Sequence, residues 1–148
     1  MTFIKVALAA TLAVLGASAQ AADPQLIAKG EYLTRAADCE ACHTTPGGKP
    51  FTGGLAFQLP FGTLYSPNIT PDTATGIGGW SDDELVQYLK TGRAPGKNQA
   101  AGGMAEAVEH SLQYLPDSDL HAIATYLKGT APIRDQGDTL PALSYGAP

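Results

Sequence analysis

Cys39-Glu40-Ala41-Cys42-His43 holds both cysteines of the 148-residue chain, two residues apart, with a histidine directly after the second. This C-x-x-C-H spacing reads as the attachment site of a c-type haem. Two thiols add across the two vinyl groups and form thioethers. The two intervening residues let both sulfurs reach one porphyrin edge, and the adjacent imidazole binds the iron from the proximal face. Rival readings account for less. A thioredoxin-like pair expects a strand before it and a βαβ setting, whereas a helical pattern precedes this one and a glycine-rich stretch follows. A structural zinc site takes four ligands. There is no second C-x-x-C, and His110 and His121 are too far apart for an H-x₃₋₅-H pair. A disulfide leaves His43 unexplained, and two cysteines cannot build a disulfide scaffold.

Upstream, Met1 to Lys5 supply a positive start, Val6 to Gly16 an uncharged apolar run, and Ala17-Ser-Ala-Gln-Ala21 small residues at A-x-A spacing. This is the layout of a secretory signal peptide, and the run falls short of the about 20 apolar residues that a membrane span needs. Residues 1–21 are expected to be cleaved and the remainder exported to a bacterial periplasm. Losing Lys5 makes an already acidic chain (net charge −5, pI about 4.9) more acidic. A nucleic-acid-binding domain would carry a basic face instead.

The length suits one domain, and 44% apolar with 16% charged residues is globular rather than disordered. Aromatics are only 7%, against 17 glycines and 11 prolines. Such a chain needs help beyond its own side chains to form a core. Residues 44–103 hold 12 of those glycines and 6 of the prolines, and no helix is expected between His43 and Trp80. A loop that long is uncommon inside a compact domain and makes sense as wrapping for a large apolar disc.

Helices are expected where the apolar period is 3.6. Asp23-Pro24 opens one over about 24–37, in which Gly30 points to close approach of another helix. Ser81-Asp-Asp-Glu84 is a capping box before Leu85, Tyr88 and Leu89, with Gly92 as the stop. Ala105 to Leu112 is a short helical stretch. Asp117-Ser-Asp119 opens the last helix, with Leu120, Ile123, Ala124 and Leu127 on one stripe and Gly129 at its end. The tail, 130–148, reads as extended. The fold class is therefore all-α, a few short helices and long loops wrapped around one covalent haem. The haem domain is 22–129.

With Met1 removed, Met104 is the one thioether left to bind the distal face of the iron. Methionine opposite histidine raises the reduction potential, as suits an electron carrier. His110, on the short helix after Met104, is the rival ligand, and His121 lies off the apolar stripe. A ligating imidazole donates its other N–H to an acceptor such as a carbonyl, and Pro50 or Pro60 could supply it. Tyr65, Ser66, Asn68 and Trp80 are candidate contacts to the haem propionates or pocket, or else turn and core residues. Phe51, Phe57, Leu59 and Phe61 are candidates for the haem pocket or the core.

The chain resembles a class I cytochrome c. More narrowly, it is similar to single-haem cytochromes and to the haem domains of cytochrome subunits serving bacterial periplasmic dehydrogenases, such as alcohol and gluconate dehydrogenases. The matching pieces are Gly30-Glu-Tyr-Leu33, Ala37 to Thr44, Gly47-Gly-Lys-Pro-Phe51 with Gly53-Gly54, Pro60-Phe-Gly62, Tyr65-Ser-Pro-Asn-Ile-Thr-Pro-Asp72, and Thr75-Gly-Ile-Gly78 with Trp80. The resemblance implies thioethers at Cys39 and Cys42 and an iron held between His43 and Met104. The longer relatives carry three haem motifs, against one here. Many relatives also set the methionine in a Pro-x-Met-Pro-like context, against Gly103-Met-Ala-Glu106 here.

The expected function is a one-electron shuttle, not an enzyme. A periplasmic dehydrogenase is the donor, and a downstream cytochrome or terminal oxidase the acceptor. The alternatives are a haem subunit tightly bound within an oxidoreductase complex, and a haem enzyme with a displaceable distal ligand. A sensor would need a signalling domain for which there is little room.

Overall fold

The computed structural model describes residues 23–60 and 62–134. The expected leader, most of the tail and Phe61 lie outside them.

Asp23 caps the first helix, α1 (Pro24–Ala36), by accepting the Gln25 N–H through Oδ1 at 2.9 Å. Asp38 then turns the chain through the left-handed region (φ 54), and Cys39–Cys42 form a separate single turn, α2. Two short antiparallel strands follow, β1 (Ala56–Leu59) and β2 (Gly62–Tyr65), with Phe57 opposite Leu64 and Leu59 opposite Gly62. The hairpin interrupts what the sequence suggests is unbroken loop. Its strands are only four residues each, too short for their alternation to stand out from the surrounding glycine and proline.

Helix α3 (Asp82–Thr91) begins with the expected capping box. Ser81 Oγ accepts the Glu84 N–H, and the Glu84 carboxylate accepts the Ser81 N–H at 2.7 Å. Gly92 ends it at φ 73. The next helix, α4, spans Gly103–His110 and gives way at Ser111 to a 3₁₀ turn, Leu112–Tyr114. Its start is earlier than the apolar pattern suggests because the Gly102 carbonyl already accepts the amides of Ala105 and Glu106. The last helix, α5, is Asp117–Gly129. The architecture is the expected all-α one of a few short helices and long loops, with the hairpin as an addition.

Two helices frame the molecule. α1 crosses α5 at Gly30, where an added Cβ would lie 2.0 Å from the Ala122 carbonyl oxygen and 2.7 Å from Tyr126 Cβ. Only glycine permits that approach, which explains its presence in a helix interior despite its cost there. α3 also packs on α5, and Lys128 ties the two by donating to the Trp80 carbonyl and pairing with Asp82 at 2.7 Å. The buried core is Leu120, Ile123, Ala124 and Leu127 of α5, Leu85 and Val86 of α3, and Phe51 and Ile77 from the long loop. A second, smaller cluster of Ala100, Val108 and Leu112 sits between α3 and α4, with Met104 and Tyr88 against it. Among the described residues no helix is long and apolar enough to cross a membrane.

Candidate haem-attachment site

The attachment residues sit on a turn whose geometry separates their roles. α2 presents Cys42 to solvent and leaves Cys39 partly buried against the core, both as free thiols. Burial pushes the Cys39 thiol up to about 11. His43 follows at the end of the turn and is buried.

His43 Nδ1 is 2.8 Å from the carbonyl oxygen of Pro67. A carbonyl only accepts, so Nδ1 carries the proton and Nε2 keeps its lone pair. Burial lowers the pKa of the imidazole, with the Pro67 bond acting in the opposite, smaller sense. The ring is thus held neutral, in the tautomer that leaves Nε2 able to bind a metal. Pro67 therefore fills the part the sequence suggests for Pro50 or Pro60, both of which are exposed.

A short circuit of backbone bonds brings these two residues together. The Gly53 N–H donates to the His43 carbonyl at 2.7 Å, and the Gly54 N–H donates to the Ser66 carbonyl at 2.7 Å. Ser66 in turn donates its N–H to the Leu55 carbonyl, and its Oγ accepts the Leu55 N–H at 3.0 Å. Gly53 adopts φ +74, and a Cβ there would lie 2.4 Å from the Pro67 carbonyl carbon. Close by, Phe51 is buried at φ 66, a left-handed conformation rare for a bulky residue. It is fixed there because its N–H donates to Thr44 Oγ1 at 3.1 Å and its carbonyl accepts the Ile69 N–H at 2.8 Å. Such strain costs on the order of 1–3 kcal/mol and persists where its surroundings over-determine it.

The other candidates are placed as follows. Met104 is the second residue of α4, half-buried against the smaller apolar cluster. His110 is exposed at the end of α4, and His121 is half-buried on α5. Ser66 is buried beside Pro67, and Tyr65 is 46% exposed at the end of β2. Trp80 stacks edge-on against Tyr88, centroids 5.3 Å apart, with the Lys97 ammonium 5.1 Å from its ring centre. The Asn68 amide donates to Thr75 Oγ1 and to the Ile133 carbonyl, and its oxygen accepts the Thr70 N–H. That side chain, a candidate anion donor on sequence, ties the loop to the segment after α5. Phe51 belongs to the core, and Phe57 and Leu59 are half-buried on β1. Among the described residues no group of three or more His, Cys, Asp or Glu could hold a metal ion.

The donor set fits a covalent haem. Two free thiols lie on one helical turn, and the next residue is a buried imidazole with Nε2 unprotonated. Residues 27–131 match the family model described as Cytochrome c. The chain belongs to the cytochrome c family. Membership implies covalently bound haem c and an electron-transfer role for this domain. This cytochrome c is 44% identical over 119 residues to the fructose dehydrogenase cytochrome subunit of Gluconobacter japonicus, covering 76% of this chain and 24% of the relative. It is 40% identical to the gluconate 2-dehydrogenase cytochrome c subunit of Pantoea cypripedii, over 83% of this chain and 27% of that one. It is 38% identical to the cytochrome c subunit of the quinone alcohol dehydrogenase of Gluconobacter oxydans, over 79% and 24%. The cytochrome c chain thus spans about a quarter of the length of these curated relatives.

Proposed function

We propose that this chain is a periplasmic, single-haem electron carrier. It takes electrons one at a time from a periplasmic dehydrogenase and passes them to a downstream cytochrome or terminal oxidase. Cys39 and Cys42 form the thioethers, His43 binds iron through Nε2, and Met104 binds from the other side. Residues 1–21 are removed on export and 22–129 form the haem domain, followed by the tail 130–148, whose residues from 135 on lie outside the described structure. The observation that carries the reading is the 2.8 Å bond from His43 Nδ1 to Pro67, which prepares a neutral, oriented imidazole directly after two thiols.

When bound, haem c supplies a one-electron ferric–ferrous couple and no substrate bond changes. The protein's own part is to orient His43, to bury it against water, and to offer a thioether from α4. The dehydrogenase partner is supported by the relatives, each named as a cytochrome subunit of such an enzyme. Those names equally support a tightly held subunit, which co-purification with a dehydrogenase after salt washing would separate from a free carrier.

The test of ligation is a pair of visible spectra, oxidised and reduced, for the parent and Met104→Ala. The expected parent is low-spin with a weak far-red sulfur–iron band, which the variant loses. A high-spin parent or an unchanged variant removes Met104 from the iron and brings forward His110 ligation or a haem enzyme with a displaceable ligand.

A further inference from the structure

The carbonyl that receives the His43 proton belongs to the peptide joining Pro67 to Asn68. A peptide unit is planar, so fixing Asn68 fixes the direction in which the Pro67 oxygen points. Asn68 is 3% exposed and held on all sides. Its amide donates to the Ile133 carbonyl at 2.8 Å and to Thr75 Oγ1 at 3.0 Å, and its oxygen accepts the Thr70 N–H at 2.8 Å. Thr70, 1% exposed, bridges to the same distant residue in both directions. Its hydroxyl donates to the Ile133 carbonyl at 3.1 Å and accepts the Ile133 N–H at 3.2 Å. Ile133 lies past the end of α5, more than sixty residues along the chain from both.

We infer that Asn68 and Thr70 are positioning residues for the haem ligand: they clamp the Pro67–Asn68 peptide to the chain segment after α5 and thereby set the strength of the His43–Pro67 hydrogen bond. The inference rests on His43 being the iron ligand, as proposed above. A ligating imidazole that donates strongly from its far nitrogen is more basic and favours the ferric state, so the bond is a lever on reduction potential. Backbone bonds from Ser66 and Ile69 also restrain this stretch, but they stay within the wrapping loop. Among the described hydrogen bonds, those of Asn68 and Thr70 tie this stretch to the C-terminal segment, and a fully satisfied buried network of this kind is rigid. The start of the C-terminal segment is therefore coupled to the iron through one peptide plane.

The experiment uses the full-length, haem-loaded protein. Asn68→Ala and Thr70→Val are compared with the parent, with Thr70→Ser as the conservative variant and Ser81→Ala, whose hydroxyl takes no part in the clamp's hydrogen bonds, as a destabilising control. Midpoint potential and the solvent-exchange rate of the His43 Nδ1 proton are measured. Asn68→Ala and Thr70→Val are expected to shift the potential upward and speed the exchange. Thr70→Ser returns both to parental values, and Ser81→Ala moves neither. If Asn68→Ala fails to fold, Thr70→Val, which keeps shape and charge, carries the test. Unchanged potential and exchange in the clamp variants, or an equal change in Ser81→Ala, overturns the inference while leaving His43 ligation intact. A parent whose His43 proton does not report an iron-bound imidazole overturns the ligation reading and this one together.

Discussion

The Nδ1 proton of His43 is donated to the carbonyl oxygen of Pro67, 2.8 Å away and 24 residues later in the chain. That bond joins the end of the C-x-x-C turn to the far side of the wrapping loop. Gly53 and Gly54 make it possible by bonding one to His43 and the other to Ser66. Gly53→Ala should therefore damage the site directly. Its Cβ would press on the Pro67 carbonyl carbon, at a backbone angle that side chains resist. The expected cost is on the order of 1–3 kcal/mol of stability, together with a changed reduction potential. Denaturant melts beside a redox titration check it, and a variant with parental potential would separate Gly53 from His43 orientation.

The crossing of α1 and α5 predicts a different response. Gly30→Ala would drive a methyl into the Ala122 carbonyl, backbone that cannot move aside without parting the helices. A loss of about 3 kcal/mol is expected, at the upper end of ordinary overpacking. Guanidinium unfolding of parent and variant measures it. A loss below about 1 kcal/mol would mean that the helices separate more easily than their packing indicates.

Acid should loosen α3 through its cap. The Ser81 N–H, donated to the Glu84 carboxylate, holds that carboxyl below its usual range, with the Lys97 ammonium helping. A group lowered on folding contributes stability above its unfolded value, and the contribution disappears as pH falls through the folded value. The parent should thus lose stability below about pH 4 by more than Glu84→Gln does. Thermal melts of both between pH 7 and pH 3 would show converging curves. Parallel curves would remove Glu84 from the acid response.

Electron exchange should weaken with salt. The chain carries a net charge of −5. Five of its cations, Lys29, Arg35, Lys90, Lys97 and Lys128, are already paired with acids. An acidic surface steers basic docking patches and is screened beyond about 10 Å at 0.1 M salt. Stopped-flow reduction by an identified dehydrogenase should slow as ionic strength rises. A rate indifferent to salt would point instead to a preformed complex or an apolar docking face.

Much of this organisation is legible in the sequence because it rests on local chemistry. The Asp23 cap, the Ser81–Glu84 box and the stripe of Leu120, Ile123, Ala124 and Leu127 involve residues within a turn or two of each other. The hairpin is less legible, since its register depends on pairing between strands of four residues. Pro67 was hidden for a related reason. Several prolines follow His43, and nothing in their spacing says whose carbonyl faces the ring. Asn68 reads as a turn residue or an anion donor, and only the approach of Ile133 gives its amide another task.

The order Cys39-x-x-Cys42-His43 by itself determined the kind of cofactor, because thioether chemistry and adjacent imidazole ligation need that covalent spacing. The helix caps and apolar stripes likewise determined the all-α class, since each acts over the few residues of one or two turns. Only the tertiary structure decided which carbonyl holds His43, why Gly30 cannot be larger, and where the chain after α5 is anchored. Those depend on groups tens of residues apart meeting within 3 Å or so, and a hydrogen bond or a steric contact exists only at that distance.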